Sequence, residues 1–262
     1  MKYFFACCLV LMGHITGAQD LSAYRKAWFA DGEQELPYRL LSPVAEPGKK
    51  YPLIIFLHGA FEKGQDNELQ LRIGGRFFMR DSIRKNYPAF VLFPQCPVND
   101  SWAYFENKLD ITTGNYTDWN FPFKPEPTAV TGTLFKLVSR LIENDSIDKM
   151  RIYIAGLSQG GMGVLDIIAR KPALFAAGIA ICGAGEPATA KLFAGKTSLW
   201  LFHGDKDPVV PPVFSEQFYR RLKRAHANVR FTEYPGVEHD SWTRAFAEPD
   251  LMRWLFTQSK QG

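Results

Sequence analysis

The stretch RIYIAGLSQGG, from Arg151 to Gly161, decides how this chain is read. Arg151 to Ala155 is β-branched and aromatic, as a strand should be. Met162, Leu165, Ile168 and Ala169 then recur at three- and four-residue spacing up to Pro172, which predicts a helix over Ser158 to Arg170. Between them lies Gly156-Leu157-Ser158-Gln159-Gly160. A Gly-x-Ser-x-Gly at a strand-to-helix turn is a sharp elbow that exposes its serine. Glycines suit it because the backbone crowds itself there. The helix start, with unpaired N–H groups and partial positive charge, favours negative charge developing beside that serine. The plainer alternative is a glycine-rich turn in which Ser158 only caps the helix.

Working outward, strands alternate with helices. Strands are expected at Leu36 to Leu41, Pro52 to Leu57, Ala89 to Phe93, Ala176 to Cys182, Leu199 to Phe202 and Val229 to Tyr234. Continuous apolar runs such as PLIIFL suit strands buried on both faces. Helices are expected at Ala129 to Ile142, capped by Thr128, then at Phe214 to Ala225 and Trp242 to Phe256. The alternation predicts an α/β fold: a mostly parallel central sheet with helices on both faces. Residues 94–127 break the rhythm with five prolines and seven aromatic residues. So long a loop is read either as a cover on the sheet edge or as a wall of a substrate pocket.

With 262 residues, 46% apolar and 22% charged, the chain has globular composition and the length of one α/β domain. The net charge of +4 is scattered. The run Arg220, Arg221, Lys223, Arg224 reads as a solvated helix face, so no nucleic-acid partner is expected. Residues 1–19 have the order of an export signal: Lys2, an apolar stretch from Tyr3 to Met12, then Thr16, Gly17 and Ala18. The apolar stretch is too short to span a bilayer. The mature chain is expected to be exported, to start near residue 20, and to form one catalytic domain. Cys7 and Cys8 leave with the signal. Cys96 and Cys182 remain, read as buried free thiols, although export would permit a disulfide. No metal-ligand spacing appears, so neither metal nor cofactor is expected.

A serine hydroxyl is a weak nucleophile without a base and a group to orient that base. His58 and His203 each precede a glycine at a strand end, which suggests backbone roles, and His226 ends a polar helix. His239 lies between the last strand and the last helix, where the base belongs. The acid should follow LWLF, where Asp205 and Asp207 compete. Asp207 is preferred, and Asp205 is expected to bond local N–H groups. The amides of Gln159 and Ala60 are the expected oxyanion donors, with Phe61 as the substitute for Ala60. Phe61, Glu62, Trp102, Trp119 and Trp242 are the expected substrate contacts.

PLIIFLHGAFEKGQDN, GLSQGG, HGDKDPVVP and EHDSW together resemble the phospholipase/carboxylesterase group of α/β-hydrolases. They are still more similar to small esterases of the predicted-peptidase type, some of whose relatives act on plant polysaccharide esters. The likeness spans residues 36–258. It implies Ser158 as nucleophile, Asp207 as acid, His239 as base, and Ala60 and Gln159 as oxyanion donors. The sequence departs from the pattern at Phe61, where many relatives carry glycine. The expected activity is hydrolysis of small or polysaccharide-linked acyl esters, acetyl or feruloyl, through an acyl-enzyme. A peptidase akin to prolyl oligopeptidases, or a carbohydrate- or lipid-binding module on the same fold, is the competing reading. The sequence is silent on oligomeric state.

Overall fold

A computed structural model describes residues 21–32, 34–114 and 116–260. The expected export signal lies outside the described residues. Among the described residues there are ten strands: β1 Tyr24–Asp31, β2 Gln34–Leu41, β3 Tyr51–Leu57, β4 Phe90–Pro94, β5 Glu106–Leu109, β6 Tyr116–Asn120, β7 Ile147–Leu157, β8 Ala177–Ile181, β9 Ser198–Gly204 and β10 Val229–Tyr234. Eight form one sheet in the order β1-β2-β4-β3-β7-β8-β9-β10, while β5 and β6 pair separately as an antiparallel hairpin. The ladders β1/β2 and β2/β4 are antiparallel, and the rest of the large sheet is parallel. This is the expected α/β architecture.

Alternation within each strand distributes side chains to two cores. From β3, Leu53, Ile55 and Leu57 enter one core while Ile54 and Phe56 enter the other. From β7, Ile152 and Ile154 part from Tyr153 and Ala155 in the same way. The first core is closed by α3 (Ala129–Leu141), α4 (Gln159–Arg170), α5 (Ala190–Phe193) and α6 (Val213–Arg224). The second is closed by α1 (Gly75–Met79), α2 (Asp81–Asn86), α7 (Trp242–Ala245) and α8 (Leu251–Phe256). Each apolar side chain buried in this way contributes about 2 kcal/mol. Thr128 caps α3 by accepting from the Thr131 amide. The single helix expected over 242–256 is instead the pair α7 and α8. Pro249 falls between them and lacks the N–H that a continuous helix would need.

The order of the sheet positions the site. After β3 the chain moves outward to β4; from β7 onward it builds in the opposite direction. Loops leaving the carboxyl ends of β3 and β7 therefore part and leave a crevice, the place where open α/β sheets bind ligands. Cys96 and Cys182 are buried free thiols. No helix among the described residues is long and apolar enough to cross a membrane.

Candidate active site

Ser158 sits between β7 and α4 with φ 53° and ψ −120°, in the left-handed region that a non-glycine residue seldom occupies. Such a conformation costs of order 1–3 kcal/mol. It persists because both sides of the turn are held. The Ser158 amide donates to Ile181 O at 2.9 Å, and Ser158 O accepts from the Met162 amide at 3.0 Å. The neighbouring glycines are sterically required. A Cβ on Gly160 would lie 2.1 Å from Leu57 O, and one on Gly156 would lie 2.4 Å from Gly160 O.

His239 follows β10 and precedes α7. Its Nε2 is 2.9 Å from Ser158 Oγ and its Nδ1 is 2.8 Å from Asp207 Oδ2. Asp207 lies in the loop after β9, its side chain fully buried. Its Oδ1 accepts from the amides of Val209 (2.8 Å) and Val210 (2.9 Å). Burial alone would raise the Asp207 carboxyl. Hydrogen bonds from His203, His239 and Val210 outweigh burial and hold it well below the usual carboxylate range. An ionised carboxylate only accepts, so His239 Nδ1 carries the ring proton. Nε2 of the neutral ring is then the acceptor for the Ser158 hydroxyl. Asp205, the competing acid, instead accepts the Gly236 amide at 2.6 Å.

A second imidazole stands behind the carboxylate. Nε2 of the buried His203 is 3.2 Å from Asp207 Oδ2 and 2.8 Å from Val210 O. Both are acceptors, so Nε2 must be protonated. On its other side, Nδ1 meets Ser215 Oγ at 2.7 Å. The expected backbone role of His203 is thus only part of its work, since it also fixes Asp207. Its spacing of four residues from Asp207 was the available signal. His58 does keep to the backbone: its Nδ1 donates to Gly59 O at 2.7 Å and its Nε2 accepts from the Cys96 amide at 2.9 Å.

That bond matters for the loop after β3. All peptide bonds among the described residues are trans. Pinning Gly59 O to His58 therefore turns the Ala60 N–H the opposite way. Ala60 begins a single 3-10 turn, Ala60–Glu62, and lines the same cleft as Ser158 and Gln159. The cleft has a volume of about 300 Å³ and is mainly apolar. Phe61, Glu62, Trp119 and Trp242 line it as expected. Phe61 stands at the rim, 84% exposed. Trp102 is a correction: it is fully buried and absent from the cleft wall. Its Nε1 donates to His58 O, and a Cβ on Gly163 would collide with it at 2.4 Å, so it packs α4 against the loop instead. Phe105 and Tyr116, from the aromatic segment 94–127, join the wall as one of its two expected readings allows, while Arg72 and Asn107 are wall residues that the sequence did not single out.

Cys182, Asp207 and His239 present ligand-type atoms within 4.8 Å of one another, the one such grouping among the described residues. Asp207 is already committed to four N–H donors, and burial pushes the Cys182 thiol up. The arrangement suits proton transfer rather than metal binding.

Comparison with known proteins agrees with this fold. A thermostable esterase of known structure superposes with a TM-score of 0.80 at 36% identity, covering 92% of this chain. This chain has the α/β-hydrolase fold. It spans 64% of that esterase's length. The sequence profile of the phospholipase/carboxylesterase family matches residues 123–249 of this chain. Acyl-protein thioesterase 1 of Debaryomyces hansenii is 26% identical over 234 residues, 82% of this chain and 94% of that protein. A poly(3-hydroxybutyrate) depolymerase of Ralstonia pickettii is 28% identical over 149 residues, 55% of this chain and 27% of that protein. The relatives it resembles are thus of the esterase and thioesterase type.

Proposed function

We propose that this chain is an exported serine hydrolase that cleaves small or polysaccharide-linked acyl esters, acetyl or feruloyl, through an acyl-enzyme. The observation that carries the reading is the continuous path from Ser158 Oγ to His239 Nε2 at 2.9 Å and from His239 Nδ1 to Asp207 at 2.8 Å. His239 takes the Ser158 proton as Oγ bonds to the ester carbonyl carbon. The carbonyl oxygen gains negative charge and is received by the Gln159 and Ala60 N–H groups. Asp207 holds the ring in the needed tautomer and stabilises its protonated form without taking the proton. The tetrahedral adduct collapses, the alcohol leaves with the proton from His239, and the acyl group stays on Ser158. Water, deprotonated by His239, then releases the acid and restores the hydroxyl.

Export rests on the order of residues in the first nineteen positions. A thioester substrate is a second reading, favoured by the similarity to acyl-protein thioesterase 1 along most of the chain. The same acyl-enzyme route serves a sulfur leaving group. A panel of p-nitrophenyl acetate, longer acyl esters, methyl ferulate and an acyl thioester tests both. Turnover by the wild type, lost in Ser158→Ala, is the expected result. No turnover of any ester by folded protein would refute the ester reading.

A further inference from the structure

Apart from His239, the cleft wall carries two charged groups that the reaction above does not use, Glu62 and Arg72. Glu62 is only 2% exposed, yet it lines the cleft. Arg72 Nη2 donates to its Oε1 at 2.5 Å. Among the described residues no other donor reaches this carboxylate, so Oε2 is unspent. Oε2 also lies near the reacting serine. It lies 3.2 Å from where a Cβ on Gly59 would sit, and Ser158 Cβ lies 3.7 Å from the same point. The carboxylate oxygen is therefore within about 7 Å of the nucleophile's Cβ.

Phe105, Tyr116 and Trp119 contribute an aromatic wall to the same cleft. Trp119 and Phe105 lie 6.2 Å apart, tilted by 30°, and Trp119 is half-buried. Flat aromatic faces receive apolar C–H surface, and a carboxylate accepts only from donors. A pyranose or furanose offers both: an apolar face and an edge of hydroxyls. Arg72 already neutralises Glu62, which removes the incentive to bind a cationic alcohol. Its remaining N–H groups can donate to hydroxyl oxygens.

Building on the proposed esterase function, we propose that Glu62 and Arg72 form a subsite for the hydroxyls of a neutral sugar or polyol bearing the ester. A plain alkyl alcohol would cover Oε2 without pairing it, and such sites reject ligands that lack the hydroxyl. Two measurements test this. The first compares kcat/KM of the wild type on an acetylated methyl xyloside and on its analogue lacking the adjacent hydroxyl. The hydroxylated ester should be favoured by about tenfold, as one bond to a charged group allows. In the second, Glu62→Leu should bring that ratio close to one. Folding of the variant is checked by its melting curve. Equal kcat/KM for the two wild-type substrates, or an unchanged ratio in Glu62→Leu, would overturn the subsite while leaving the esterase function standing. Failure of the wild type to cleave any ester would instead overturn the esterase reading, and the subsite with it.

Discussion

Acid should weaken this protein through one buried histidine. His58 is fully buried, and both ring nitrogens are committed in the neutral form: Nδ1 donates to Gly59 O and Nε2 accepts from the Cys96 amide. A proton on Nε2 would face an N–H with no acceptor. Burial, the largest cause, pushes the imidazole down to about 4 from its ordinary 6.5, against a smaller opposing effect of the Gly59 hydrogen bond. Between these values the unfolded chain binds a proton that the folded chain refuses. Stability is therefore fully present above about 6.5, falls as pH drops through that window, and loses nothing further below about 4. At about 1.4 kcal/mol per pH unit, the loss is about 3 kcal/mol. Urea unfolding at pH 7 and pH 4.2, on wild type and His58→Asn, reads it directly. The substitution lowers stability at pH 7, because it removes the Nε2 acceptor from Cys96. Its stability should then fall by about 3 kcal/mol less between the two pH values than that of the wild type. Asp207 does not confuse the comparison. Its carboxyl is held low, so its contribution is lost only below its ordinary 3.8. Equal losses in the two proteins would refute the reasoning.

Three further outcomes follow from the geometry. Gly160→Ala should misfold or melt at much lower temperature, because its Cβ would sit 2.1 Å from the fixed Leu57 carbonyl; a melting curve like the wild type's would contradict this. His203→Leu should lower kcat about tenfold with little change in KM, because Asp207 loses one donor of its charge-assisted set while the cleft is untouched. Steady-state kinetics on p-nitrophenyl acetate separates the two constants, and a rise in KM alone would rule out positioning through Asp207. Trp119→Ala should raise KM for an acetylated methyl xyloside several-fold more than for ethyl acetate, as expected of a wall that receives the face of a sugar. Equal effects on both would deny it contact with the sugar.

The sequence announces the parts of this fold that are buried on two sides. β3 and β7 read as strands because every register position from Leu53 to Leu57 and from Ile152 to Leu157 faces a core. By contrast β1 was not foreseen. It is an edge strand with charged, exposed positions, and only its antiparallel pairing with β2 makes it a strand. The β5/β6 hairpin is exposed at nearly every residue, so no hydrophobic period marks it. At the site, local chemistry was legible. Gly156, Gly160 and Gly161 with Ser158 specify a tight turn, and His239 and Asp207 follow the strands that would bring them near. What lies between elements was not. An aromatic in a proline-rich segment can face the cleft, as Trp119 does, or the core, as Trp102 does, and only packing decides. Glu62 and Arg72 are ten residues apart in sequence, and their pairing depends on the fold of the loop after β3.

The central claim is that His239 activates Ser158, and covalent labelling tests it most directly. A fluorophosphonate probe should add once to the wild type, at Ser158 by peptide mass. The labelling rate should fall by at least about a thousandfold in folded His239→Ala, since the hydroxyl then has no base. A folded wild type that stays unlabelled, or a His239→Ala protein that labels as fast, would contradict the account.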